Sequence, residues 1–393
     1  MKTVMILGAG IYQVPLIRKA KEMGLRTVVV SIDGNYPGFA LADSVRKINT
    51  TDKEAVLAAA REDKILGIAT CGTDVAVASI GYVAEKLHLP GIPLSAAKIL
   101  TDKAEMKKAF EGSVPTPRHV TVRTLAEACA AAEEIGYPVM IKACDSSGSR
   151  GVTRVTGPDE AEAAYAASRA VTRTDHVIVE KAVSGTEIGL DAFIENGKAQ
   201  LILPHTKFVC RAGAVTIPAG HAFPYTASET VLRKLRDAVD GIVRSTGADH
   251  CALNCDIMVD GEEVNVLEAG GRCGATCIPE LIERHTGIDF YAQILRSATG
   301  EACDFTVRRH APAMAKLLFA EKSGVVRTIE REKIRAVAAA SGAEIGLDVT
   351  EGDSVRSPRN GTDRIGQVIM DTASEKELDA VLSAVREAVR VEI

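Results

Sequence analysis

A chain of 393 residues exceeds what one hydrophobic core supports, since single cores stop growing at roughly 250–300 residues, so two or three domains are expected. Apolar content of 46% and charged content of 25% are ordinary for a globular protein, and a net charge of −5 leaves no basic footprint for nucleic acid. No apolar run approaches the ~18 residues of a membrane span, residues 1–7 run into a strand pattern rather than a leader, and nine scattered cysteines suit reduced thiols in the cytoplasm.

Residues 1–92 alternate apolar strand patterns (4–7, 27–31, 65–70) with helical ones (15–23, 52–61, 75–86), which predicts a doubly wound, parallel α/β layer. Gly8-Ala9-Gly10 follows the first strand, and Asp33 stands at the end of the second, where an acid could meet a ribose. The third glycine of a dinucleotide fingerprint would fall on Gln13. A tight strand-to-helix turn and a cofactor turn are both open readings.

Residues 95–110 read as one or two helices, with Lys103 in the first turn of the second. Val114-Pro115-Thr116-Pro117 forces an extended segment and marks a domain boundary, because proline restricts itself and the residue before it. An alanine-rich helix over 124–136 leads into Pro138, where a strand ends on Lys142 before a small-residue loop, and a second strand returns at 152–155. Ser146, Ser147, Gly148, Ser149 and Gly151 offer successive backbone N–H groups, an anion-binding arrangement. A solvated turn with a surface lysine would look the same.

A helix over 159–171 and a strand over 177–183 follow, the latter carrying Glu180, Lys181 and Val183, then Glu187 on its continuation. Residues 204–224 read as a loop with His205, Lys207 and Arg211 as carboxylate-binding candidates, or as an ordinary polar loop. A helix over 229–246 precedes a hairpin (252–259, 264–268) that bears Asp256 and Glu268. Two carboxylates on neighbouring strands repel unless cations sit with them, and such oxygen ligands suit Mg²⁺, with Asn254 as a neutral addition. Exposed strand acids are the plainer alternative. Cys251, Cys255, Cys273 and Cys277 suit small buried hydrophobes better than zinc, whose tight pairs are usually spaced differently. Arg272 follows the acids, helices are expected at 279–286 and 289–299, and the tail reads as a small α+β unit with strands at 313–319 and 365–370 and a last helix at 374–389.

Taken in order, Lys103, Lys142 before its Gly/Ser loop, Glu180, Glu187, Asp256, Glu268 and Arg272 resemble the ATP-grasp superfamily of carboxylate–amine ligases. The resemblance implies a pre-ATP-grasp α/β domain over 1–92, an ATP-grasp domain over 93–308 and a C-terminal α+β domain over 309–393. It implies that Lys103 and Lys142 contact ATP phosphates under a lid of residues 146–151. Glu180, with the backbone at Lys181 and Val183, would read adenine, and Glu187 the ribose. Asp256 and Glu268 would hold Mg²⁺, with Mn²⁺ able to substitute, and Arg272 would stabilise the transferring phosphoryl group. The family often has Glu-x-Asn where this chain has Glu268-Ala269-Gly270, so one ligand position is missing. The implied activity is ATP-dependent joining of a carboxylate, an amino acid foremost, to an amine. Carboxylation through carboxyphosphate, a non-catalytic nucleotide-binding protein and a nicotinamide-dependent oxidoreductase are the alternatives. Tyr12-Gln13 and Thr73-Asp74 are further pocket candidates, and a homodimer is the expected assembly.

Overall fold

The computed structural model describes residues 2–392 apart from Ser147, Ser149, Gly213 and Ala214, and only the backbone of Arg211, Ala212, Val215 and Thr216. The chain divides into two compact units: Met1–Leu203 with Ala227–Cys273 and Tyr291–Cys303, and Pro204–Thr226 with Gly274–Phe290 and Asp304–Ile393. Among the described residues no helix is long and apolar enough to cross a membrane.

The first unit opens with β1 (Thr3–Leu7), α1 (Val14–Glu22), β2 (Arg26–Ser31), β3 (Ser44–Lys47), α2 (Lys53–Glu62), β4 (Gly67–Ala69) and α3 (Val77–Leu87). The strands form a parallel sheet in the order β3-β2-β1-β4. β1 is buried along its whole length, as expected for a strand covered on both faces. The turn after it is closed by Gln13. Its Oε1 accepts from Gly10 N–H at 3.0 Å, and its Nε2 donates to the Cys71 carbonyl at 2.6 Å. A Cβ on Gly8 would lie 2.8 Å from Gln13 Oε1, so the Gln13 side chain packs directly against the glycine turn. Asp33 lies beyond β2, exposed and paired with Lys47 at 2.7 Å.

Next come α4 (Leu94–Ile99), α5 (Lys103–Phe110), β5 (His119–Val122), α6 (Leu125–Ile135), β6 (Val139–Ala143), β7 (Val152–Val155), α7 (Ala161–Val171) and β8 (Val177–Lys181). The sheet β5-β8-β6-β7 is antiparallel and packs α6 and α7 over Val139, Ile141, Val177 and Val179. α6 begins with a capping box in which Thr124 and Glu127 satisfy each other's backbone donors.

The chain continues through β9 (Thr186–Glu195), β10 (Lys198–Ala212), β11 (Val215–Phe223), α8 (Glu229–Thr246), β12 (Cys251–Asp260), β13 (Glu263–Gly270), α9 (Ile278–Thr286) and α10 (Phe290–Ala298). In the first unit β12 pairs antiparallel with both β13 and β9. The tail holds β14 (Ala313–Phe319), β15 (Gly324–Ile329), α11 (Arg331–Ser341), β16 (Glu344–Leu347), β17 (Ser354–Val355), β18 (Arg364–Met370), α12 (Glu375–Glu387) and β19 (Val389–Glu392). In the second unit β11, β14, β18 and β16 form an antiparallel run, and a small β17-β15-β19 sheet closes a core around Leu318, Val326, Val368 and Leu378.

The expected loop over 204–224 is a correction: it is the antiparallel pair β10–β11. Proline inside a paired strand normally argues against strand, but Pro218 sits opposite a register shift at Phe208/Val209, where the ladder is already interrupted.

Candidate active site

The site grows from one face of the β13-β12-β9 sheet in the first unit. Cross-strand partners share a face, so the pairs Asp256↔Glu268, Asn254↔Gly270 and Asp191↔Asn254 gather three carboxylates and an amide, with Glu187 further along β9 opposite Met258. The alternate residues Leu190, Leu253, Cys255 and Ile257 are buried. The period of two therefore puts the acids on the opposite face, where Asp256 and Glu268 are half-buried and Asp191 is buried. The ladder shifts register directly after Asp256, a place where bulges re-aim side chains.

Helix α5 brings lysines to these acids. Its N-cap Asp102 accepts from Ala104 N–H at 2.8 Å, and Lys103 follows. Lys103 Nζ donates to Glu268 Oε1 at 2.8 Å and to the Ser146 carbonyl at 2.6 Å, joining the acid face to the start of the Gly/Ser loop. Burial works against its charge, but Glu268 more than offsets this and holds the ammonium above its ordinary pKa. One turn on, Lys107 Nζ lies 2.7 Å from Glu180 Oε2, while Lys142 Nζ donates to Glu180 Oε1. Burial draws Lys107 down to about 8, and Glu180 opposes that drop. Although burial pushes the Glu180 carboxyl upward, Lys142 and Lys107 together keep it below the usual carboxylate range.

Arg272 is held between two side chains, Asp74 and Asn254. Its Nε lies 2.8 Å from Asp74 Oδ1 and its NH2 donates to Asp74 Oδ2 at 2.8 Å. NH1 donates to Asn254 Oδ1 at 2.7 Å, and Asn254 Nδ2 donates to Asp191 Oδ2 at 2.8 Å. Burial disfavours the guanidinium's charge, but Asp74 outweighs it and raises the pKa above its ordinary value. A cavity of about 360 Å³ runs past Asp74, Lys103, Ser146, Arg173 and Glu268.

Residues 100–192 match the family model of the carbamoyl-phosphate synthase L chain, ATP binding domain, and residues 316–393 that of the L-amino acid ligase C-terminal domain 2. A formate-dependent phosphoribosylglycinamide formyltransferase from Wolinella succinogenes is 30% identical over 305 residues, covering 76% of this chain and 76% of the relative. The chain belongs to the ATP-grasp carboxylate–amine ligases. A phosphoribosylglycinamide synthetase from Anaerococcus prevotii has a TM-score of 0.80 at 26% identity, covering 100% of this ATP-grasp chain and 99% of its own. An L-amino acid ligase from Bacillus licheniformis shares the fold at a TM-score of 0.81 and 18% identity, covering 100% and 98%. Other chains of this fold are solved with ADP or its magnesium salt. With the carbamoyl phosphate synthase large chain of Streptomyces coelicolor the match is 28% over 220 residues and spans only 18% of that relative.

Within this ATP-grasp chain the expected site residues fall into three groups. Lys103, Ser146 and Glu268 are in direct contact, with Asp256 beside Glu268 and Arg272 reached through Asn254. Lys142 and Glu180 form a second centre, joined to the first by α5 through Lys107. Lys181 spends its N–H on the Arg118 carbonyl and its ammonium on those of Gly136 and Tyr137, while Val183 is half-buried just beyond β8. Gly148 and Gly151 take left-handed φ values of +67° and +66°, which only glycine adopts freely, and Ser147 and Ser149 lie outside the described residues.

The third group needs correction. His205 is not on an open loop: it is fully buried on β10 in the second unit, 4.6 Å from the His221 ring and 5.0 Å from Phe223. Lys207 lies on the same strand, half-buried, and the Arg211 side chain is outside the described residues. Lys107, Asp191 and the Asp74–Arg272 bridge are what sequence reasoning missed. Lys107 stands four residues after Lys103, hence on one helix face, and Asp191 keeps strand phase with Glu187. Those two spacings were the available signals.

Proposed function

We propose that this ATP-grasp chain phosphorylates a substrate carboxylate, that of an amino acid, to an acyl phosphate and joins it to an amine, with ADP and phosphate as by-products. The observation that carries this reading is the Asp256–Glu268 cross-strand pair, flanked by Lys103 at 2.8 Å from Glu268 and by the clamped Arg272. Two carboxylates at facing strand positions are hard oxygen donors of the kind a magnesium ion takes, and Asp256 and Glu268 would hold it, with Mn²⁺ as a substitute. When bound, the ion neutralises charge on the ATP phosphates.

The chain's own groups would do the rest. Lys103 and Lys142 contact phosphate oxygens, and the loop over 146–151 closes to exclude water that would hydrolyse the intermediate. Arg272 faces the charge that develops on the phosphoryl group and on the acyl carbon's oxygen. The carboxylate attacks the γ-phosphorus and expels ADP. The amine then attacks the acyl carbon and expels phosphate, losing a proton to solvent. Neither step asks for a protein nucleophile, consistent with cysteines such as Cys144 and Cys255 being buried with thiols pushed up by that burial. Glu180, Lys181 and Val183 would border adenine and Glu187 the ribose. Segments 1–92, 93–308 and 309–393 would be the pre-ATP-grasp, ATP-grasp and C-terminal α+β domains of this reading. The amino-acid preference is supported by the L-amino acid ligase domain match at 316–393.

A phosphate-release screen of amino acids, small carboxylates and amines with Mg-ATP tests the reading. Phosphate release that needs both a carboxylate and an amine is the expected result. Release driven by bicarbonate alone would replace it with carboxylation, and ATP binding without release from any pair would refute it.

A further inference from the structure

Gly270 ends the acid-bearing strand β13, and the space beside its Cα is occupied by another residue's side chain. A Cβ on Gly270 would lie 2.6 Å from Asp74 Oδ1, far inside contact distance, and 3.5 Å from Arg272 Cζ. The Asp74 carboxylate therefore fills the space into which any side chain at 270 would grow. It comes from the segment between β4 and α3, where its carbonyl accepts from Val77 N–H at 3.0 Å. A residue of the parallel α/β layer thus reaches the acid-bearing strand of the same unit.

We propose that Asp74, occupying the space a side chain at 270 would take, is the positioning residue that sets the Arg272 guanidinium toward the reacting phosphoryl group. The geometry is specific. One hydrogen bond of 2.8 Å from NH2 to Asp74 Oδ2, with Oδ1 held against Nε by charge at 2.8 Å, fixes one edge of the planar guanidinium, and NH1 on the other side donates to Asn254. Asp191 in turn fixes Asn254, so the line Asp74–Arg272–Asn254–Asp191 spans the acid face. Asp74 also borders the 360 Å³ cavity with Lys103 and Glu268, so the Asp74 end of the clamp stands at the wall of the proposed reaction site. Glycine at 270 and aspartate at 74 are one solution to a shared space: either can carry the polar group, but not both.

The inference rests on the proposed function only for its kinetic consequence, so the test has two parts. In urea unfolding, which needs no substrate, Gly270→Asn should lower the midpoint by on the order of half a molar in the parent chain and by much less in an Asp74→Ala chain. An equal loss in both backgrounds overturns the shared-space claim. In phosphate release with the pair found by the screen, Asp74→Ala and Gly270→Asn should each lower kcat about 10²–10³-fold while KM for ATP changes less than about threefold. The double variant should recover roughly tenfold or more over either single, because the amide oxygen introduced by Gly270→Asn can accept from Arg272. Unchanged kcat in Asp74→Ala, or a double variant that multiplies the two losses, overturns the positioning role. A parent chain that releases no phosphate refutes the proposed function instead, and the unfolding cycle then decides the Asp74 claim alone.

Discussion

Glu180→Gln is the sharpest perturbation of the second charged centre. Glu180 is 1% exposed and carries Lys107 on one oxygen and Lys142 on the other, themselves 2% and 10% exposed. The substitution keeps the shape and removes the only negative charge of this triad, leaving two ammonium groups roughly 6–7 Å apart by carboxyl and hydrogen-bond dimensions. Their repulsion at an effective dielectric near 20 is about 2–3 kcal/mol. The charge-assisted bond from Lys142 and the close ion pair with Lys107 are lost as well, so a loss of about 3–5 kcal/mol at pH 7 is expected, in the range for breaking a buried ion pair. Lys107, already drawn down to about 8 by burial, falls further in the variant. A lysine whose folded pKa lies below its unfolded value binds fewer protons folded than unfolded in the window between the two, so stability rises with pH there. In the parent that rise begins near pH 8; in the variant it begins lower. The gap measured by urea unfolding should therefore shrink by about 1 kcal/mol from pH 7 to pH 8. A loss below about 1 kcal/mol at pH 7, or a gap that ignores pH, would refute the reasoning.

Asp256→Asn and Glu268→Gln should each reduce phosphate release at least about 10²-fold and raise the Mg²⁺ concentration needed for half-maximal rate, read from a magnesium titration. An unchanged magnesium requirement would remove these residues from the metal site. In the second unit, burial first, then the like-signed His205 and Lys207, keep His221 well below its ordinary pKa of 6.5. The unfolded chain takes up that proton as pH falls below 6.5, so stability is lost in that direction, by up to about 1.4 kcal/mol per pH unit. His221→Phe should flatten this slope in unfolding curves between pH 7 and 5, and an unaltered slope would assign it to other groups.

The α/β alternation of residues 1–92 was legible because β1 and β2 carry unbroken apolar runs, Val4–Leu7 and Val28–Val30, while α1 carries a polar face. β3, Ser44–Lys47, was not read: it alternates half-buried and exposed residues at a sheet edge and has no apolar run to announce it. β10–β11 were obscured by prolines and glycines whose tolerance depends on pairing that no local window contains. In the site, Lys142, Asp256 and Glu268 stood out by residue type at strand ends. Lys107 did not, and Asp74 was read only as a pocket candidate, since each takes its meaning from a distant partner: Glu180 for one, Arg272 and the space beside Gly270 for the other. His205 was misplaced for the same reason, its polar type outweighing a burial that only the β10–β11 pairing dictates.

The central claim is that a substrate carboxylate oxygen attacks ATP. It is tested by supplying the substrate pair with the carboxylate labelled in heavy oxygen and analysing the released phosphate by mass spectrometry. The account predicts one labelled oxygen in each phosphate, because the bridging oxygen of the acyl phosphate leaves with it when the amine attacks. Phosphate carrying no label, with all heavy oxygen retained in the product or the unreacted acid, would contradict it.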